Sequence, residues 1–164
     1  MDIETLLPYF RESLDSVVTP RFFETERGYQ GALLAELNKR IPNYIIPKAI
    51  IEQEYQKRLT QHGLRTRPDI IIHEPFDHSH HIDRTEGNIA VIELKLNASQ
   101  VEAKEDYKSL ISMINVLRYQ LGIFVNIASG ETHCQLVPQE ASGRIVSYAV
   151  SLQNGHIHIV EKRI

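Results

Sequence analysis

Apolar residues recur every three or four positions over residues 3–18, where Ile3, Leu6, Leu7, Phe10 and Leu14 fall on one side of a short helix that Thr19-Pro20 ends. A second stripe, Leu33, Leu34, Leu37 and Ile41, predicts a helix from about Thr25, its N-cap, to Arg40, with Pro42-Asn43 as the stop. From Tyr44 to about Tyr55 the chain turns β-like, rich in isoleucine despite Pro47. After a polar, glycine-containing turn (Thr60 to Thr66), Pro68-Asp69-Ile70-Ile71-Ile72 reads as a strand, and residues 75–87 as a loop loaded with Asp and His. Asn88 to Leu96 is a second clear strand. A long helix follows from an N-cap at Ser99 or Asn97 to about Gln120, buried through Ala103, Tyr107, Leu110, Ile111, Ile114 and Leu117. Gly122 to Ala128 is a further apolar strand, and the chain from Thr132 reads as short strands, with Asn154-Gly155 as a two-residue hairpin turn. The order predicts an α/β domain, two layers with helices packed on a mixed sheet and a β-rich C-terminal extension.

At 164 residues the chain suits one domain spanning 1–164. Its charged and apolar content is that of an ordinary globular protein, which excludes intrinsic disorder. No apolar run approaches the ~20 residues of a membrane span. The N-terminus carries acids early and lacks a basic n-region, so no secretory signal is expected. The single cysteine, Cys134, makes no internal disulfide, and a reducing cytoplasm is the expected location. A net charge of −3 and a pI near 6.2 count against nucleic-acid binding through bulk charge. Any such contact has to come from a local basic patch, bound metal ions or a partner.

The chemistry concentrates in NIAVIELKL. Alternation along this strand turns Ile92, Leu94 and Leu96 one way and Val91, Glu93 and Lys95 the other. If the Pro68-Asp69 strand is its neighbour, Asp69 joins Glu93 and Lys95 at a strand mouth. Two carboxylates and a lysine suit a hard divalent cation, which prefers oxygen ligands, and the backbone carbonyl of Leu94 offers another. Such an ion polarises a scissile phosphate and acidifies a water, while Lys95 orients that water and offsets developing charge. The expected reaction is phosphodiester hydrolysis.

Pro68-Asp69, then 23 intervening residues, then Glu93-Leu94-Lys95 resembles the PD-(D/E)XK nuclease superfamily. The resemblance covers the core from about 25 to 128. It implies a restriction-endonuclease-like αβββαβ core and Mg²⁺-dependent cleavage of DNA, less often RNA, in restriction, repair, recombination or mobile-element functions; Mn²⁺ is the expected substitute ion. It further implies an acid on the preceding helix. QGALLAELNKRI is similar to that helix in archaeal Holliday-junction resolvases, but the acidic position falls on Gln30, a departure. Glu26, one turn earlier, or Gln30 itself through a water, is the candidate there, whereas Glu36 reads as a surface acid.

Basic residues near the expected site, Arg65, Arg67, Lys104 and Lys108, are candidates to grip flanking phosphates. Glu52 and Glu54 share a face of the first strand and read as the charge of an exposed edge. His73, His78, His80 and His81, with Asp77 and Asp83, have spacings open to a transition metal, but a solvated loop is the favoured reading. A chain with no separate DNA-reading domain is expected to dimerise or to serve a larger assembly. The alternative function is a catalytically inactive binding or assembly module that keeps the fold, for which Gln30 and the weak basic balance speak.

Overall fold

A computed structural model describes residues 3–53 and 67–164. The elements follow the order α1 (Ile3–Asp15), α2 (Glu26–Arg40), β1 (Ile50–Gln53), β2 (Ile70–His73), β3 (Asn88–Leu96), α3 (Gln100–Leu117), β4 (Leu121–Ile127), β5 (Ile145–Gln153) and β6 (His156–Arg163), with short 3₁₀ turns at Pro20–Phe23, Cys134–Leu136 and Gln139–Ala141. Among the described residues the strands form one six-stranded mixed sheet in sequence order, β1 to β6. β3, β4 and β5 run parallel, and β1, β2 and β6 are antiparallel to their neighbours.

Helices cover both faces, so the domain has three layers rather than the expected two. α1 and α2 pack Leu6, Phe10, Leu14, Tyr29, Leu33 and Leu37 onto Ile70, Ile72, Ile92, Leu94, Ile123, Val125 and Tyr148. α3 packs Tyr107, Leu110, Met113 and Ile114 onto Ile71, Val91, Phe124 and Ile145 on the other face. Burial on both faces explains why β2, β3 and β4 are almost uninterrupted apolar runs.

Most boundaries follow from local chemistry. Thr25 caps α2 by accepting the Gly28 N–H at 3.0 Å. Ser99 and Glu102 form a reciprocal capping box at the start of α3. Asn154 (φ 52°) and Gly155 (φ 78°) make the β5–β6 hairpin, where two successive positive φ values match the strand twist. Two expectations are corrected. Residues 44–49 are mostly turns, with Pro42 and Pro47 lacking an N–H to give a ladder and Lys48 at φ 62°, so among the described residues of this stretch only Ile50–Gln53 is a strand. The segment after Thr132 is not a set of short strands; β5 and β6 are long and extend the same sheet.

The capping box can be tested directly. Ser99→Ala removes the acceptor for the Glu102 N–H and is expected to cost about 1 kcal/mol. For a chain of this size that lowers the thermal midpoint by ~2–4 °C, measured by circular dichroism.

Candidate active site

β3 outruns β2, and this mismatch builds the site. The ladder between them ends at Ile70↔Ile92, so Leu94 and Leu96 project past β2 with their backbone groups facing the vacated side. Side chains take the place of the missing strand. The Leu94 N–H donates to Asp69 Oδ2 at 2.7 Å, and the Leu96 N–H donates to Glu26 Oε2 at 3.3 Å. Continuing the register would set Pro68 opposite Leu94, and proline has no N–H to give the Leu94 carbonyl. The Pro-Asp pair therefore ends one ladder and turns a carboxylate and a carbonyl toward the same space.

α2 supplies the second wall. Glu26 lies in its first turn, and the buried Gln30, one turn on, donates from Nε2 to the Asp69 carbonyl at 2.7 Å. Gln30 thus holds the backbone of Asp69. Glu36, by contrast, pairs with Arg40 at 3.0 Å on the surface.

α3 supplies the third wall, over the β3 face that carries Val91, Glu93 and Lys95. The Ser109 hydroxyl donates to Glu93 Oε1 at 3.2 Å. Asp106 sits one turn earlier on the same flank, and its Oδ2 is buried without a hydrogen-bond partner. Lys95 Nζ lies 3.6 Å from Glu26 Oε2. Asp69, Glu93 and Lys95 are thus brought together, with Glu26 and Asp106 around the same ammonium.

The electrostatics are those of crowded acids. Burial pushes the Glu93 carboxyl well above the usual range, and Asp69 and Asp106 push it further. Burial also raises Asp69, with the Leu94 N–H opposing and Glu26 adding to the rise. Asp106 is pushed up to about 6 by burial, with Lys95 opposing. For Lys95, burial pulls downward but Asp106, Glu26 and Asp69 prevail, so its pKa is raised and it stays an ammonium at neutral pH.

Among the described residues no three His, Cys, Asp or Glu side chains form a ready-made metal cage. The donor set nevertheless fits a hard divalent cation. Magnesium is commonly held by one or two carboxylates, with waters and substrate phosphate completing the shell. Asp69, Glu93 and the Leu94 carbonyl meet that requirement, and the orphaned Asp106 oxygen is a buried acceptor in want of a positive partner.

The remaining candidates lie elsewhere. Arg65 and Glu54 fall outside the described residues. Arg67 is exposed just before Pro68. Lys104 and Lys108, two residues either side of Asp106, sit about 160° around α3 from it; Lys108 is tied to Glu105 at 2.7 Å. The histidine loop emerges from the opposite ends of β2 and β3, on the order of 15 Å along β3 from Glu93. There His73 joins β2 to β1 through Glu52 at 2.7 Å, and His81 stacks on Phe76 with ring centroids 5.8 Å apart. Glu52 is therefore a cross-strand partner.

Asp106 and Ser109 were not among the sequence candidates. Helical arithmetic carries a signal for Asp106, which lies about 40° from Leu110 and 60° from Ala103, at the margin of the buried stripe. No family model matches the chain, and no curated protein matches it at a significant level.

Proposed function

We propose that this protein is a divalent-metal-dependent nuclease that hydrolyses phosphodiester bonds in DNA. The observation that carries the reading is the convergence of Asp69, Glu93 and Lys95 at the carboxyl end of β3, where the ladder with β2 has ended. The order α2–β1–β2–β3–α3–β4 supports a restriction-endonuclease-like core, and the resemblance of Pro68-Asp69 and Glu93-Leu94-Lys95 to PD-(D/E)XK nucleases supports the chemistry.

Asp69, Glu93 and the Leu94 carbonyl would hold Mg²⁺, with Mn²⁺ as substitute. When bound, the ion supplies Lewis-acid polarisation of the phosphate and relief of the crowded negative charge. Lys95, held as an ammonium by the surrounding acids, orients the attacking water and stabilises charge developing on the phosphate oxygens. Glu26 fixes Lys95 through the 3.6 Å pair, and Gln30 fixes Asp69. Reaching both strands of a duplex calls for a homodimer or a larger assembly.

A second reading, a non-catalytic assembly module, is favoured by one observation. Asp69 and Glu26 accept backbone N–H groups from β3 and so have structural work independent of any ion. Purified protein is assayed on plasmid, linear duplex, branched DNA, single strands and RNA with Mg²⁺ or Mn²⁺, beside Lys95→Ala and Asp69→Asn. Cleavage by the wild type that both variants lose supports the nuclease. No cleavage, together with no Mn²⁺ binding by calorimetry, leaves the module.

A further inference from the structure

Asp106 has no place in the Pro-Asp or Glu-Leu-Lys signature, yet α3 delivers it to the same cluster. It shares a flank of the helix with Ser109, whose hydroxyl holds Glu93 at 3.2 Å. Its Oδ2 is sealed from solvent and accepts no hydrogen bond. A buried carboxylate oxygen in that condition is costly, and an acid kept beside other acids raises the cost further. The neighbours differ in this respect. Asp69 Oδ2 receives the Leu94 N–H, Glu26 Oε2 receives the Leu96 N–H, and Glu93 Oε1 receives the Ser109 hydroxyl. Those three atoms have structural partners; Asp106 Oδ2 has none. The positive groups available to it are Lys95 and whatever cation the cluster holds.

We propose that Asp106 is a further carboxylate of the divalent-cation site, reaching from α3 through bound water toward the ion held by Asp69 and Glu93, since no three acids among the described residues stand close enough to ligate one ion directly. This rests on the nuclease reading for the existence of the ion, but it assigns a residue that the signature does not contain. A competing explanation makes Asp106 a counter-ion of Lys95 alone, and the two separate in a double-mutant cycle.

Mn²⁺ binding is measured by titration calorimetry on the full chain, with melting temperatures in metal-free buffer, for wild type, Asp106→Asn, Lys95→Ala and the double variant. Glu102→Gln, one turn earlier on α3 and engaged in the capping box, is the control. Asp106→Asn is expected to weaken Mn²⁺ at least ~10-fold in both the wild-type and Lys95→Ala backgrounds. It is also expected to melt no lower than the wild type without metal, since it removes a buried charge and little volume. Glu102→Gln should leave Mn²⁺ affinity unchanged. Unchanged affinity in Asp106→Asn, a loss that vanishes in the Lys95→Ala background, or a lower metal-free melting temperature each overturns the assignment. Wild-type protein that binds no Mn²⁺ overturns both this inference and the nuclease reading, whereas wild-type binding that Asp106→Asn leaves intact overturns this inference alone.

Discussion

Lys95→Ala is expected to lower the cleavage rate by roughly 10²–10³-fold, the usual consequence of removing a preorganised positive group from a site where negative charge develops. The geometry makes this the most informative single substitution. Lys95 contributes a charge to the cluster through its 3.6 Å approach to Glu26, and its stem is only partly buried at the end of β3. The fold should therefore survive, with a circular dichroism spectrum like that of the wild type. Lys95→Arg should restore little, because a planar fork cannot replace a compact ammonium at the same point. Asp69 calls for a different design. Asp69→Ala strips the acceptor from the Leu94 N–H and leaves a part-buried donor unmet, at a cost of about 1–3 kcal/mol, so lost activity would be confounded with lost stability. Asp69→Asn keeps an oxygen for that N–H while removing the charge. Full loss of cleavage in Asp69→Asn with a near-wild-type melting temperature is the result the proposed reaction requires. Retained cleavage in both Lys95→Ala and Asp69→Asn would end it.

Acidification of the metal-free protein should stabilise it, and metal should reverse the trend. Asp106 has its folded pKa raised to about 6 from an ordinary value near 3.8, and those of Asp69 and Glu93 are raised as well. A carboxyl with a raised folded pKa binds its proton more tightly in the native state. Its ionisation therefore destabilises the fold at neutral pH, and the penalty disappears as pH falls through about 6 toward the unfolded value. For Asp106 the shift corresponds to ~3 kcal/mol if taken whole. The group is partly exposed, and solvent screening reduces this to about 1 kcal/mol. Only about a quarter of this is released by pH 5.5, so the expected result is a melting temperature ~1 °C higher at pH 5.5 than at pH 7.5 in the presence of chelator, rising further toward pH 4. Below pH 4 the gain ends, because Asp77, Asp83 and Glu102, whose pKa values are lowered by local hydrogen bonds, begin to lose theirs. Excess Mn²⁺ should raise stability at pH 7.5 and do so less at pH 5.5, where protons compete for the same oxygens. A metal-free melting temperature that falls steadily from pH 7.5 to 5.5 would contradict the electrostatic picture of the cluster.

Much of this arrangement was legible in the sequence because it depends on local rules. The α2 boundaries follow from Thr25 and Pro42, β3 from its apolar run, and the last hairpin from Asn154-Gly155. The grouping of Asp69 with Glu93 and Lys95 needed one non-local assumption, that β2 neighbours β3, and the ladder has that pairing. What escaped depends on relations no short window contains. Which flank of α3 meets the site is set by how the helix lies across β3 and β4, and this brings Asp106 and Ser109 inward and turns Lys104 and Lys108 aside. The histidine loop is close to both motif strands in sequence, but antiparallel pairing of β2 with β3 sends it to the far end of the sheet. The parallel addition of β5 to β4 spans a long connection of turns, which periodicity does not read.

The shortness of β2 bears on how relatives of this chain would be judged. Asp69 and Glu26 each satisfy a backbone group of β3, so selection for folding alone is enough to retain them after any reaction has been lost. Their persistence in a homologue is therefore poor testimony to catalysis. Lys95 and Asp106 close no ladder, and a lineage that abandoned the chemistry is free to let them drift. An alignment in which these two vary while Asp69 and Glu26 stay fixed would mark the descendants that kept the scaffold and gave up the reaction.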